Sequence, residues 1–285
     1  MAVTRVLVTV MTYPSLSDKH FETVCTAGFR EDGSWIRIFP VPYRLLDQFD
    51  KSQYSKWQWI EADLEQNPSH DDRPESYHIR DIESLKVLDR IDTKGKPNWN
   101  LRKQWALKNK KVFDNMSELI DLTKKNQLSL AVLKPTEIID VKYEQEDLTK
   151  YKEKLAKVKS NYDASKAQMN LFCDNNDMDF SFKFAEKIPY KFRYVFKTKD
   201  GIERKLMIED WELGALFRKY PDEKIAVNKV VEKYRSFINN DIYFFLGTSF
   251  QWQKKNAPDP YLIIGVFYPP KSLQNFQTSI DFMFN

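Results

Sequence analysis

An Asp-Gly turn between two β-rich runs is the feature that most constrains the fold of this chain. Residues 22–29 and 34–44 flank the turn at Asp32-Gly33, and both runs are rich in β-branched and aromatic residues. Asp-Gly between such runs is the strongest short-range signal for a β-hairpin. A second turn of the same kind, Asp200-Gly201, lies between two further β-rich runs. The sequence therefore predicts one hairpin in each half of the chain.

The second strand of the first hairpin carries two chemically different faces. Successive side chains of a strand point to opposite sides, so Ile36 and Ile38 share one face. Trp35, Arg37 and Phe39 share the other face. Aromatic rings beside a cation on a twisted strand suit base stacking and phosphate contact. The pattern predicts a nucleic-acid-binding face on this hairpin.

The composition excludes several kinds of site. The 285 residues include only seven glycines, and neither Gly-x-Gly-x-x-Gly nor Gly-x-x-x-x-Gly-Lys-[Ser/Thr] occurs, so no phosphate-binding loop is predicted. The 45 Lys and Arg residues barely outnumber the 41 Asp and Glu residues, which gives a formal net charge of +4. Such a mild charge attracts partners through local basic patches rather than through the field of the whole molecule.

The cysteines and the apolar runs bear on where the protein works. Cys25 and Cys173 lie in unrelated contexts, which favours a reducing compartment over a disulfide framework. The start of the chain lacks the pattern of a signal peptide. No apolar run approaches the roughly 18 residues that a membrane-spanning helix needs. We expect a cytoplasmic protein with no membrane partner.

Short strands separated by turn signals predict an α+β fold with two β-rich, OB-like barrel domains joined by helices and a polar linker. The expected N-terminal barrel domain spans 1–147, with a helical insertion at about 94–126. An amphipathic helix and flexible linker follow at 148–180, and a β-rich domain with two helices spans 181–285. Strands within 129–143 are expected to complete the N-terminal barrel.

The first candidate site is the exposed face of the N-terminal hairpin with its neighbours. Aromatic faces stack bases at about 1–3 kcal/mol each, and arginine supplies phosphate or cation–π contacts. The residues are Trp35, Arg37, Phe39, Arg44, Trp57 and Trp59. The alternative is that the tryptophans belong to the core and the arginines are satisfied surface residues.

The second candidate site is a basic segment, 94–111, which holds seven cations and no acidic residue. Helical from about Asn98, it could neutralise phosphates with a salt-dependent affinity. Its candidate binding residues are Trp99, Arg102, Lys103, Lys108 and Lys111. The alternative is a solvated helix face with the tryptophans packed underneath.

Metal and nucleophile patterns are weak. His70 and His78 flank a run of carboxylates, but their spacing fits no zinc signature, and a capped turn with an Arg–Glu pair is the favoured interpretation. A nucleophile pair of Cys25 with His20 has no further support. We therefore predict no metal and no cofactor.

Asp200, Glu203 and Lys205 offer an enzymatic alternative. An acidic residue followed by Glu-x-Lys on a strand is typical of metal-dependent nucleases, whose carboxylates hold Mg²⁺. Here Asp200 lies in the turn, only three residues before Glu203. This spacing is too close for that fold, so a non-enzymatic role is favoured and enzymatic activity stays open.

A further motif lies in the predicted linker. Gln168, Leu171 and Phe172 resemble the Gln-x-x-Leu-Phe motif that binds the bacterial sliding clamp. Leu171 and Phe172 would insert into an apolar pocket. The alternative is an apolar anchor that docks the linker onto its own domain.

Several phrases resemble uncharacterised bacterial proteins with paired OB-like barrels, which occur in mobile-element and phage-defence loci. The phrases are Thr23-Val-Cys-Thr-Ala-Gly28, Trp35-Ile-Arg37, Pro40-Val41 and Arg73-Pro-Glu-Ser76. The resemblance implies a nucleic-acid-sensing role in a defence system and supplies no catalytic residues.

Together these patterns predict a nucleic-acid-binding accessory subunit of a bacterial defence or DNA-processing system. DNA or RNA is the expected partner, with protein partners in a larger complex. The alternatives are a metal-dependent nuclease and a structural subunit whose aromatic surfaces bind protein.

Overall fold

The computed structural model describes residues 3–43, 46, 53–93, 96–172 and 184–271. The fold is mixed α+β, as the sequence predicted. The described residues form three β-sheets and six α-helices. Among them, no helix is both long enough and apolar enough to span a membrane.

Six strands form the N-terminal sheet: β1 (Thr4–Met11), β2 (Ser15–Ser17), β3 (Phe21–Phe29), β4 (Trp35–Pro42), β5 (Gln58–Glu65) and β6 (Ser76–Arg90). Their order is β1-β5-β6-β4-β3-β2, and β1 also pairs with β3. Five strands are therefore linked in a closed circuit, β1-β3-β4-β6-β5 and back to β1. Its pairings are antiparallel except for β4 with β6, which is parallel.

Side chains on the two faces of β1 enter two different cores. Val6 and Val8 pack with apolar residues of the other strands of the N-terminal sheet. Leu7 and Val10 belong to a second cluster, which includes Phe245 from the C-terminal half. Both faces of β1 are buried for this reason, and the second cluster joins the two halves of the chain.

The predicted first hairpin forms as β3 and β4, and its turn is held from outside. Gly33 has a φ of +87°, which glycine adopts without the cost that a side chain would add. Three side chains donate hydrogen bonds to carbonyl groups of the turn: Lys108 to Glu31 at 2.7 Å, Asn109 to Asp32 at 3.0 Å and Lys110 to Gly33 at 2.7 Å. The basic segment thus fixes the hairpin.

The C-terminal half contains two sheets, with orders β13-β12-β8-β7 and β11-β10-β9. The strands are β7 (Val112–Phe113), β8 (Leu130–Leu133), β9 (Glu137–Gln145), β10 (Tyr190–Lys197), β11 (Glu203–Met207), β12 (Tyr243–Thr248) and β13 (Tyr261–Phe267). The second predicted hairpin forms as β10 and β11 across Asp200-Gly201. Strand β12 is buried along its whole length.

The helices are α1 (Lys96–Leu107), α2 (Met116–Lys124), α3 (Thr149–Phe172), α4 (Trp211–Arg218), α5 (Glu223–Ser236) and α6 (Phe250–Lys254), with a 3-10 turn at Phe237–Asn239. Side chains of α2, α4 and α5 join the largest apolar cluster with those of the two C-terminal sheets. Helix α3 packs on the N-terminal sheet instead, where the Tyr162 ring lies 5.1 Å from the Phe21 ring.

Two expectations about the middle of the chain are wrong. Strands β8 and β9 do not complete the N-terminal sheet, because β8 pairs with β7 and β12 while β9 pairs with β10. The predicted linker from Asn161 is helical as far as Phe172. Alanine, lysine, glutamine and methionine in this segment are strong helix formers, and they outweigh its few turn-forming residues.

Candidate functional site

The outer face of β4 is divided between a covered part and an open part. Trp35 packs edge-on against Phe29 and Phe245, with ring centroids 4.5 and 5.6 Å apart. Arg37 is 2% exposed, whereas Phe39 is 41% exposed. The predicted continuous exposed face is therefore wrong, because the C-terminal half covers it as far as Arg37. Phe39 alone of the three reaches solvent with much of its ring.

Arg37 connects the two halves of the chain. Its guanidinium donates to the hydroxyls of Ser76 and Ser129, at 3.0 and 2.7 Å, and to the Ser129 carbonyl at 3.2 Å. The Glu75 carboxylate accepts from the backbone N–H and the hydroxyl of Ser129, at 3.0 and 2.7 Å. Burial, followed by the nearby charge of Arg73, lowers the pKa of Arg37. These contacts leave Arg37 out of reach of a nucleic acid.

The two tryptophans near β5 also face the protein. Trp57 is 7% exposed, and its ring lies under the Arg102 guanidinium at 4.9 Å. Trp59 is half-buried, and its ring meets the Trp105 ring edge-on with centroids 5.0 Å apart. The Arg5 guanidinium lies 5.6 Å from the centroid of the Trp59 ring. The alternative that assigned the tryptophans to the core is confirmed for Trp57.

The basic segment mostly binds the protein itself. Arg102 donates twice to the Ile91 carbonyl, at 2.9 and 2.6 Å, and is 8% exposed. Lys103 forms an ion pair with the buried Asp241 at 2.9 Å. Trp99 packs against Phe267 with centroids 6.1 Å apart. The prediction that this helix presents its cations to solvent is wrong for Arg102 and Lys103, because both lie against the C-terminal half or the end of β6.

Lys108 and Lys111 lie at the end of the same segment. The Lys108 ammonium binds the hairpin turn and lies 4.2 Å from the Trp105 ring centroid. Lys111 pairs with Glu118, but 59% of its side chain is exposed. Lys108 and Lys111 are both exposed, and their binding role stays a prediction.

An open groove lies beside Phe39. Its volume is about 820 Å³, within the roughly 300–1,000 Å³ of ligand pockets. Its wall is made by the connection between β1 and β3, the ends of β3 and β4, the loop 66–75 and the start of β6. All three histidines of the chain line it: His20, His70 and His78.

The groove combines apolar surface with charge. Phe39 and Ile82 line it with 41% and 39% of their surfaces exposed, and the half-buried Tyr77 lies on the same wall. Lys19 and Arg80 contribute exposed cations from opposite segments. This arrangement can stack planar groups and contact anions at the same time.

The loop at one side of the groove is anchored to the C-terminal half. Arg73 binds both carboxylate oxygens of Asp71, at 2.8 and 2.5 Å, and donates to the Thr248 carbonyl at 2.7 Å. Burial acts to raise the pKa of Asp71, but the hydrogen bonds and charge of Arg73 outweigh it, and the pKa lies below its usual value. The predicted turn capped by an aspartate agrees with these contacts, because the backbone N–H of Arg73 donates to Asp71. The predicted Arg–Glu pair is wrong: Arg73 pairs with Asp71, and the Glu75 carboxylate accepts from Ser129.

The Glu65 carboxylate at the end of β5 orders two basic residues of the groove. Glu65 accepts from His78 at 2.9 Å and pairs with Arg80 at 2.7 Å. The hydrogen bond from Arg80 lowers the pKa of Glu65 below its usual value. Among the described residues, no three His, Cys, Asp or Glu side chains are arranged to hold a metal ion.

The residues of the nuclease alternative do not form a shared site. Both oxygens of the Asp200 carboxylate are occupied, by the hydroxyls of Ser117 and Thr198, two backbone N–H groups and the Arg204 guanidinium. These hydrogen bonds outweigh burial and hold the pKa of Asp200 far below its usual value. Glu203 and Lys205 lie exposed on β11. Asp200 is better explained as a structural acceptor.

Two predictions fall outside what the structure describes. Arg44 lies outside the described residues. The motif of Gln168, Leu171 and Phe172 has a helical backbone at the end of α3, and its side chains lie outside the described part of the chain. Its binding to a sliding clamp stays a prediction.

Sequence reasoning missed most of the groove residues. Lys19, Tyr77, Arg80 and Ile82 come from two segments that are about sixty residues apart, and only strand pairing brings them together. The positions of the three histidines near predicted turns were a signal in the sequence that could have indicated the groove. Among the described residues that were predicted to bind nucleic acid, Phe39 is the one that lines the groove.

Comparison with known families places a boundary between α1 and β7. Residues 2–108 match the family described as Domain of unknown function (DUF8758). Residues 110–282 match the family described as Domain of unknown function (DUF8757), which covers more than half of the chain. No curated protein matches the chain.

Proposed function

We propose that this chain, which belongs to the DUF8757 family, binds single-stranded nucleic acid in the groove beside Phe39. The observation that carries the proposal is the position of the groove in the strand circuit. OB-folds are five-stranded Greek-key barrels that bind oligonucleotides on their second and third strands and on two flanking loops. The equivalent parts of the circuit are β3, β4, the β1–β3 connection and the β5–β6 loop, and all four line the groove. We accordingly propose that the N-terminal sheet is an OB-like barrel.

The chemistry of the groove supports a single strand over a duplex. Single-stranded nucleic acids bind through exposed rings that stack bases and through cations that follow the backbone. Phe39 supplies an exposed ring and Tyr77 a second aromatic side chain. Lys19 and Arg80 supply cations on different walls. Few cations are involved, so stacking contributes much of the affinity.

We further propose that the protein acts as an accessory subunit of a defence or DNA-processing assembly. The resemblance of its sequence phrases to paired-barrel proteins of phage-defence loci supports this role. The occupied Asp200 carboxylate favours binding over metal-dependent cleavage.

Fluorescence anisotropy with labelled oligothymidylate and oligouridylate tests the binding site. We expect Phe39→Ala to weaken binding by about tenfold to a hundredfold, because stacking contributes about 1–3 kcal/mol per base. Trp252→Ala is the matched control, since Trp252 is also 41% exposed but lies outside the groove. An equal loss of oligonucleotide affinity in the two variants, or no loss of affinity in Phe39→Ala, would contradict the proposal.

The salt dependence of the same titration counts the phosphate contacts. Each contact with a single strand adds about −0.7 to the slope of log K against log salt. Lys19 and Arg80 together predict a slope of about −1.4, and Lys19→Gln should reduce its magnitude by about half. A slope several times steeper would assign the affinity to another basic surface.

A further inference from the structure

A second, smaller cavity lies between the two halves of the chain. Its volume is about 160 Å³, and its wall includes Tyr13 from the N-terminal half with Glu146, Lys187, Lys191 and Glu209 from the C-terminal half. Pockets for drug-sized ligands begin at about 300 Å³, so this cavity suits one small ring system rather than a polymer. It shares no lining residue with the groove.

The two glutamates of this cavity differ in their partners. Glu146 is paired with Lys187 at 2.7 Å and with Lys191 at 3.2 Å. Glu209 is held by its backbone, whose N–H donates to the Ile263 carbonyl at 2.8 Å. Within the described part of the chain, the Glu209 carboxyl group itself has neither a hydrogen bond nor an ion pair.

The surroundings of Glu209 make it receptive to a donor. Burial raises its pKa to about 7, the charge of Glu146 acts in the same direction, and Lys187 and Lys191 oppose the shift. The Glu209 side chain is half-buried, and a partly desolvated carboxylate without hydrogen bonds to the protein is destabilised. A ligand that brings N–H donors to Glu209 would remove that penalty.

Aromatic side chains give the cavity a shape for a planar ligand. Tyr13, Tyr190 and Phe192 all line it. The Tyr13 hydroxyl donates to the Glu186 carbonyl and accepts from Arg218, which fixes the ring. A Cβ atom at Gly214 would lie 2.5 Å from the Tyr13 ring, so glycine lets the ring lie against α4.

The charges narrow the ligand class. A simple anion would face the carboxyl groups of Glu146 and Glu209, and a simple cation would face the ammonium groups of Lys187 and Lys191. A neutral planar ring with adjacent N–H donors and a carbonyl acceptor can donate to the carboxyl groups and accept from the ammonium groups. Guanine has this pattern on one edge, with N1–H and the N2 amino group beside O6.

We propose that this cavity binds the guanine base of a nucleoside. The Glu209 carboxylate accepts from N1–H and the N2 amino group, and the ammonium of Lys187 or Lys191 donates to O6. Adenine presents an acceptor at N1, which would face the carboxylate acceptor, so it is rejected at a pH above about 7, where Glu209 is ionised. The site is separate from the groove and does not depend on the function proposed for it.

Isothermal titration of the full chain with guanosine and with adenosine, at a pH well above 7 so that Glu209 is ionised, tests the assignment. We expect guanosine to bind at least tenfold more tightly than adenosine. Glu209→Gln should weaken guanosine binding tenfold or more, because the Gln amide turns one acceptor into a donor. Glu232→Gln on α5 is the control and should bind like the wild type, since Glu232 is 70% exposed and pairs only with Lys229 among the described residues.

Three results would overturn the guanine site: no guanosine binding, equal binding of the two nucleosides, or an unchanged affinity in Glu209→Gln. Should that variant fail to fold, the double variant Lys187→Met with Lys191→Met carries the same test, because it removes both candidate O6 donors. Oligothymidylate contains no guanine, so its binding in the groove should survive Glu209→Gln. The proposals for the two sites can therefore be contradicted independently of each other.

Discussion

Single residues in this protein show that alternation along a strand correctly predicts which side chains share a face but does not predict which of them are exposed. The face shared by Trp35, Arg37 and Phe39 was predictable from the period of two in a strand. The exposure of those side chains was not, because Ser129 and Phe245 cover the face from more than ninety residues away. The same limit applies to Lys103, whose partner Asp241 is remote in sequence. Long-range contacts decide which polar residues are available for function.

Glu209 provides a prediction at this scale that concerns stability and needs no ligand. Its pKa is raised from 4.5 to about 7 in the folded chain. The unfolded chain releases the proton first, so the free energy of unfolding should fall as the pH rises from about 4.5 and level off above about 7. The loss should be at most about 3 kcal/mol, since each pKa unit corresponds to about 1.4 kcal/mol.

Urea denaturation at several pH values measures this effect as the difference in the free energy of unfolding between the wild type and Glu209→Gln. The Gln side chain does not titrate, so the difference between the two proteins isolates the carboxyl group. A difference that stays constant across the pH range would show that Glu209 titrates normally.

At the scale of elements, local turn chemistry predicted both hairpins correctly. Asp32-Gly33 and Asp200-Gly201 each lie between paired antiparallel strands. The partners of β8 and β9 were not predictable in this way, because pairing with β12 and β10 spans about fifty to over a hundred residues of chain. The extent of α3 was missed because individual Asn, Asp and Ser residues were given more weight than the helix formers between them.

The contact between β4 and the segment before β8 gives a prediction for this scale. We expect Arg37→Met to lower the free energy of unfolding by about 3 kcal/mol, because it leaves buried hydroxyl groups of Ser76 and Ser129 with fewer partners. Arg235→Met is the control: Arg235 is 53% exposed in its ion pair with Asp140, and its loss should cost less than about 1 kcal/mol.

Chemical denaturation of both variants gives the comparison. An Arg37→Met protein of wild-type stability that no longer binds oligonucleotide would contradict this account. That result would place Arg37 in the binding surface instead of in the junction.

For the whole molecule, the central consequence of the fold is a change in the expected binding surface. The hairpin face and the basic segment are largely used for internal contacts: Arg37 and Lys103 join the two halves, and Arg102 binds the Ile91 carbonyl within the N-terminal half. Loop 66–75, which borders the groove, is itself held by the C-terminal half through Arg73. The C-terminal half therefore shapes the groove, although the described lining residues all come from the N-terminal half. Local sequence patterns do not reveal that one half of the chain lines the groove while the other half holds its loop in place.

Photo-crosslinking of the full chain to thiothymidine-substituted oligothymidylate, followed by mass spectrometry, tests this central claim most directly. We predict crosslinks in the peptides that carry Phe39 and Tyr77, reduced in Phe39→Ala and retained in Trp252→Ala. Crosslinks confined to the peptides of Trp99 and Trp105, with none at the groove, would contradict the account and return the binding site to the basic segment.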